Sequence, residues 1–189
     1  MLTWMQTMDW AVLHWIRNTL QCGAMDFLMV RITALGNGGA IWLLAAAAMI
    51  ASKKYRRYGG AMLAALAAGV LIGTVWLKRW IARPRPCWLE SVPMLLKIPK
   101  DYSCPSGHTL SSVIGAYILT AANRKFGLLA IPLAALIGFS RMYLYVHFLT
   151  DVLMSVGIGV LIGGTAAFLA CGGSPLRQAG KTSGAADCP

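Results

Sequence analysis

Uncharged apolar runs of membrane length alternate with short basic patches along most of the chain. Ile32 to Ser52 carries no charge and is about as long as a bilayer-crossing helix. Gly36-Asn37-Gly38-Gly39 interrupts it. That leaves open a helix break, a close-packing face, or a turn between two short apolar helices that begin near Asp26. A second run, Gly59 to Leu77, is rich in alanine and glycine, as tightly packed membrane helices are. Others extend from Ser106 to about Asn123, from Phe126 to about Phe148 with Pro132 as an expected kink, and from Phe148 or Thr150 to near Cys171. Between Arg83 and Pro105, five prolines (Pro84, Pro86, Pro93, Pro99 and Pro105) exclude a continuous helix. The pattern predicts an all-α fold, a polytopic membrane helix bundle with five to six membrane helices.

The N-terminal stretch has a different pattern. Trp4, Met8, Ala11, Val12, Trp15 and Ile16 recur on one face at helical spacing, with Asp9, Arg17 and Gln21 off that stripe. Tryptophan favours the membrane interface, so this helix is expected to lie on the membrane rather than cross it. No small-residue cleavage site follows a basic start, so no signal peptide is expected. Residues 1–25 are then the interfacial helix, 26–172 one membrane-embedded domain, and 173–189 a small, polar, flexible tail.

Composition agrees with the pattern. With 58% hydrophobic and 12% charged residues, the chain is too apolar for a soluble domain of 189 residues. Its net charge of +11 fits basic cytoplasmic loops, anionic lipid headgroups or an anionic substrate. Nucleic acid is excluded as a partner, because no soluble fold stands behind the basic residues. Lys53, Lys54, Arg56, Arg57, Arg124, Lys125, Arg177 and Lys181 fall at one set of helix ends. Lys78, Arg79, Arg83, Arg85, Lys97, Lys100 and Arg141 fall at the other. Counting alone does not orient the chain. If the second set serves chemistry, the first marks the cytoplasm. The five cysteines show no metal-binding spacing. Cys87 and Cys104 bracket the proline-rich loop, as a disulfide or as two free thiols, while Cys22, Cys171 and Cys188 look incidental.

Ionisable groups beside apolar spans need a reason to be there. The topology brings three such groups to one side of the membrane: Lys78 to Pro86, Pro105 to His108, and Ser140 to Asp151. His147 and Asp151 are four apart, one helical turn, so a carboxylate can fix the tautomer of the imidazole and leave its other nitrogen as base or nucleophile. A structural pair is the plain alternative. Pro105-Ser106-Gly107-His108 reads as a helix start with a serine cap and a glycine that lets an anion approach, or simply as a capped helix. Lys78, Arg85 and Arg141 supply positive charge for phosphoryl oxygens. Arg79, Arg83, Lys97 and Lys100 fit better as snorkelling interfacial cations, or as charges that attract substrate without touching the reacting phosphorus.

The three pieces resemble, in order and spacing, the signature of the type 2 phosphatidic acid phosphatase superfamily: KxxxxxxRP, PSGH and SRxxxxxHxxxD. Lys78 with Arg85-Pro86, then Pro105 to His108, then Ser140, Arg141, His147 and Asp151 fill it without departure. The resemblance implies a six-helix membrane core and a phosphohydrolase that needs no metal or other cofactor. It also implies roles. His147 would be the nucleophile and Asp151 its orienting carboxylate. His108 would act as acid and then base. Lys78, Arg85, Ser106, the Gly107 amide and Arg141 would hold the phosphoryl oxygens.

A site at the membrane surface points to a lipid phosphate as substrate, with membrane lipids as further partners and the oligomeric state left open. The short chain resembles compact bacterial members acting on undecaprenyl diphosphate or phosphatidylglycerophosphate. The first is favoured, with phosphatidic acid and lipid A phosphates as alternatives. The expected location is the bacterial cytoplasmic membrane, with the site facing outward. Two rival classes remain: a vanadium haloperoxidase-like oxidant, disfavoured by hydropathy, and a non-catalytic binding or transport protein, disfavoured by the intact His108, His147 and Asp151.

Overall fold

The computed structural model describes residues 3–172, and the tail expected to be flexible lies outside the described residues. Among those residues the chain is helical, without strands. Helix α1 covers Thr3–Leu20. Helices α2 (Gly23–Leu35) and α3 (Ala40–Ala51) meet at a 3-10 turn, Asn37–Gly39. There Gly38 and Gly39 hold φ of 59° and 70°, a left-handed geometry that glycine adopts at little cost. The Gly-Asn-Gly-Gly interruption is therefore a true break, and the two helices bend by 43° across it.

Helix α4 (Arg56–Gly69) loosens into π turns over Val70–Leu77 and tightens again as α5 (Lys78–Ile81). Past it the chain is irregular, as the prolines require, apart from the single turn α6 (Pro86–Leu89). Helices α7 (Gly107–Ala122), α8 (Arg124–Tyr143) and α9 (Leu149–Ala170) complete the bundle. Pro132 lies inside α8.

Helix α7 is the central element, packed against α3, α4, α8 and α9. Small residues make these crossings close. A methyl group on Gly159 of α9 would stand 2.8 Å from the Val113 side chain, and one on Gly115 of α7 would meet the Trp42 ring at 2.4 Å. Trp42 in turn donates its indole N–H to Ser112 Oγ at 3.0 Å, so the one polar atom of this buried ring is satisfied. Small-residue contact of this kind is what holds helices together where lipid removes the hydrophobic drive. Outward-facing residues such as Leu128, Leu129, Leu161 and Leu169 remain exposed, which is lipid-facing composition.

The stretches Arg56–Leu89, Arg124–Tyr143 and Leu149–Ala170 are long and apolar enough to cross a membrane, and bent α2–α3 makes a fourth if counted as one span. The basic turns before α4 and α8 lie together at one end, where Asn123 Nδ2 donates to the Tyr55 hydroxyl and Tyr55 meets Phe126 edge-on.

Of the two readings open for Cys87 and Cys104, the structure takes the free thiols: both are buried, and Cys104 Sγ lies 3.3 Å from Met154 Sδ. Two expectations change. Cys171, which looked incidental, is disulfide-bonded. In α1, Asp9 is fully buried rather than part of a polar edge, because it has a buried cationic partner in Arg83.

Candidate active site

Opposite the basic turns, a cavity of about 540 Å³ is walled at one end by Lys78, Arg85, Asp101, Gly107, His108, Arg141 and His147. It continues along the apolar faces of α3 and α4, past Leu43, Leu63, Leu66, Ala67 and Val70.

The turn between α8 and α9 delivers His147. Tyr145 sits there at φ 60°, unusual for a bulky residue and held by its hydroxyl donating to Glu90 at 2.6 Å. The amides of Val146 and His147 both donate back to the Arg141 carbonyl, at 3.1 and 3.3 Å. His147 is thus outside any helix, and the expected pairing across one helical turn is achieved differently. Asp151 lies in the first turn of α9, accepts from the Phe148 amide at 2.9 Å, and faces back toward the imidazole. Its Oδ2 is 3.7 Å from His147 Nδ1, with the Ser103 hydroxyl 2.5 Å from that oxygen and 3.4 Å from that nitrogen.

The other ring nitrogen, Nε2, is 3.1 Å from Arg85 Nη1. A guanidinium can only donate, so Nε2 is the acceptor and the ring proton belongs on Nδ1, toward Ser103 and Asp151. Burial pushes the His147 pKa down to about 3, against the opposing pull of Asp151 and reinforced by Arg85 and Arg141. The result is a neutral imidazole with an unprotonated nitrogen at the wall of a cationic cavity.

The cations already hold an anion of the chain itself. Arg85 Nη2 donates to Asp101 Oδ1 at 2.7 Å, its Nε to the Asp101 carbonyl at 2.7 Å, and Lys78 Nζ pairs with Asp101 Oδ2. Burial alone raises the Asp101 carboxyl, but the Lys78 and Arg85 cations outweigh it and hold the pKa at about 2. Arg141 is less fully engaged. Its Nη1 donates to Thr33 Oγ1 at 2.5 Å, while its buried Nε has no partner among the described residues.

Helix α7 supplies the remaining groups. Ser106 is its N-cap and accepts from the Thr109 amide and hydroxyl at 3.4 and 3.0 Å. Its own amide donates to Ser155 Oγ at 2.8 Å, so Ser106 stands behind the cavity wall, engaged within the fold. A methyl group on Gly107 would meet nothing closer than Thr74 Oγ1 at 3.7 Å, so packing within the chain does not demand glycine there. His108 Nε2 lies 2.9 Å from Asn37 Oδ1, and Gly36 makes room for its ring, since a methyl group there would stand 2.8 Å from His108 Cδ2.

Seven of the eight residues expected at the site thus converge: Lys78, Arg85, Gly107, His108, Arg141 and His147 on the wall, with Asp151 directly behind His147. Ser103, Asp101, Asn37, Arg83 and Asp9 were not anticipated. Arg83 in particular is no snorkelling cation. It is buried, and its Nη1 donates to Asp151 Oδ1 at 2.6 Å.

A family model described as the PAP2 superfamily matches residues 54–170. An undecaprenyl-diphosphatase of Sulfolobus acidocaldarius is 31% identical over 154 residues, covering 80% of this chain and 72% of the relative. Phosphatidylglycerophosphatase B of Bacillus subtilis is 31% identical over 153 residues, covering 74% and 66%. Among solved structures, a transmembrane PAP2-type phosphatidylglycerolphosphate phosphatase from Bacillus subtilis superposes with a TM-score of 0.77 at 26% identity, covering 93% of this chain and 90% of that one. Aquifex aeolicus LpxE gives 0.74 at 25%, covering 84% and 94%. A helical membrane bundle with these likenesses is a membrane lipid phosphatase. The chain belongs to the PAP2 superfamily.

Proposed function

We propose that the chain hydrolyses undecaprenyl diphosphate to undecaprenyl phosphate through a phosphohistidine at His147. The observation that carries the mechanism is the unprotonated Nε2 of a buried, neutral His147 on the wall of the cationic cavity. A lipid phosphate enters with its terminal phosphoryl group between Lys78, Arg85 and Arg141, replacing the Asp101 carboxylate. His147 Nε2 bonds to phosphorus as the bond from phosphorus to the lipid-side oxygen breaks. His108 gives that oxygen a proton. Asp151 orients the ring through its Nδ1 side and balances the positive charge it acquires. His108 then takes a proton from water, whose oxygen attacks phosphorus and frees His147 and inorganic phosphate. The Gly107 amide and the cations oppose charge on the phosphoryl oxygens throughout, and Ser106 acts by holding the start of α7 in place.

The apolar continuation of the cavity along α3 and α4 supports a lipid tail beside the reacting phosphate. The Sulfolobus acidocaldarius relative is named an undecaprenyl-diphosphatase, and so is a further relative, BcrC of Bacillus subtilis, which is 32% identical over 125 residues. Phosphatidylglycerophosphate is the second reading, favoured by the relative and the structural neighbour that carry that activity in their names.

In this reading residues 1–25 lie in the interface and 26–172 form the phosphatase domain. The bundle has five membrane helices, or six if α2 and α3 count separately. The basic turns before α4 and α8 face the cytoplasm of a bacterial inner membrane, and the site faces outward. Rapid-quench labelling with substrate carrying labelled terminal phosphate tests the chemistry. Acid-labile label on wild type and none on His147→Ala is expected. Label persisting in that variant would remove His147 from the role.

A further inference from the structure

We infer that Asp9 and Arg83 are positioning residues for the nucleophile, a buried charge relay that ties helix α1 to Asp151. The inference rests on the reading of His147 as the attacking group.

Neither residue lines the cavity. Arg83 is 4% exposed, and Asp9 and Asp151 are both at 0%. The guanidinium forks between the two carboxylates. Nη1 donates to Asp151 Oδ1 at 2.6 Å and to Thr150 Oγ1 at 2.7 Å, while Nη2 donates to Asp9 Oδ2 at 2.6 Å and to Gln6 Oε1 at 3.0 Å. Asp9 also accepts from Thr150 directly, from its amide at 2.9 Å and its hydroxyl at 2.5 Å. The plane of the fork is fixed from the other side by the Phe148 ring, 4.1 Å from the guanidinium carbon. Asp9 therefore grips both the cation beside Asp151 and the residue preceding Asp151 in the chain.

Charge arithmetic gives the arrangement a catalytic purpose. An Arg83–Asp151 pair alone is neutral, and its field at His147 is largely cancelled. Asp9 supplies a second negative charge, so Asp9, Arg83 and Asp151 together carry a net charge of −1. That net charge lies behind the Nδ1 side of an imidazole that becomes cationic when Nε2 bonds to phosphorus. In a buried site, charges placed before the reaction act with little reorganisation. Asp9 thus keeps Asp151 available to His147, while Arg83 fixes where Asp151 points.

A purely structural clamp for α1 would have the same contacts, so the test must separate the two. Full-length protein in detergent is made as Asp9→Asn, Thr150→Val and Asp151→Asn, and as the Asp9/Asp151 double variant. Orthovanadate titration counts competent sites in each preparation. For Asp9→Asn, kcat per vanadate-binding site is expected to fall about tenfold or more, with KM within about twofold of wild type. In the Asp151→Asn background the same change is expected to cost less than about twofold, because its route to His147 is already cut. Thr150→Val keeps every buried charge and nearly the same shape. It is expected to give a smaller loss of kcat at constant KM, and it carries the test if Asp9→Asn does not fold. An unchanged kcat per site, or a loss that multiplies undiminished onto Asp151→Asn, would overturn the inference. Wild-type phosphate release that survives His147→Ala would instead overturn the reading beneath it.

Discussion

His147 is an imidazole kept neutral by burial and aimed by its neighbours. With a folded pKa of about 3 against about 6.5 in an unfolded chain, it binds its proton more readily when unfolded. Its contribution to stability is therefore fully present above about pH 6.5 and is lost as pH falls toward 3. The melting temperature in detergent should drop between pH 7 and pH 4, and His147→Gln should flatten that drop. An equal drop in both proteins would contradict a buried neutral imidazole. His147→Ala should lower phosphate release by about four orders of magnitude or more, as loss of a nucleophile does elsewhere. The eight motif residues were legible because their spacing along the chain is fixed. Asp9 and Ser103 were not, because their partners lie far away in sequence, 141 residues for Asp9 to Thr150 and 48 for Ser103 to Asp151. Local spacing showed Asp9 only as a polar position in a tryptophan-rich helix. Arg83 was misassigned for the same reason: a basic residue at a helix end looks interfacial until its two carboxylates are seen.

Each element presents its residue through a local departure from regular structure. Ala82, at φ 47°, ends α5 and turns the chain so that Arg83 enters the protein, where its carbonyl accepts from the Ser103 amide at 2.8 Å. Tyr145 does the equivalent for His147. The break between α2 and α3 brings Asn37 and Gly36 to His108. Gly36→Ala should displace the His108 ring and slow turnover by about tenfold to a hundredfold, with vanadate affinity changed by less than that; unaltered turnover would remove this packing from the mechanism. The proline-rich loop was read as irregular, yet its main contribution, Asp101, was missed, since nothing in the loop's pattern marks a carboxylate that meets two distant cations. Because Asp101 occupies the cations that would hold phosphate in the proposed mechanism, Asp101→Asn should tighten vanadate binding several-fold. Weaker binding would mean that the carboxylate organises Lys78 and Arg85 rather than competing for them.

At the scale of the molecule, hydropathy and the positions of basic residues carried most of the architecture. The helical class, the central packing of small residues and the gathering of the three motif segments at one end all follow from patterns of residue type. The span count was harder to read, because α7 is short and buried and α2–α3 is bent, so neither passes as a single long apolar helix. Orientation depends on assigning one basic set to chemistry. With the native cysteines replaced, Lys97→Cys should react with an impermeant thiol reagent on intact cells and Lys53→Cys should not. The reverse pattern would turn the protein over in the membrane. The most direct test of the whole account is phosphate release in detergent with chelator present, from undecaprenyl diphosphate and phosphatidylglycerophosphate side by side, with His147→Ala as the blank. Release that is insensitive to chelator, absent from the blank and faster from the polyprenyl substrate is the expected result. Release that needs metal, or that persists without His147, would contradict the mechanism, and preference for the glycerolipid would contradict the substrate.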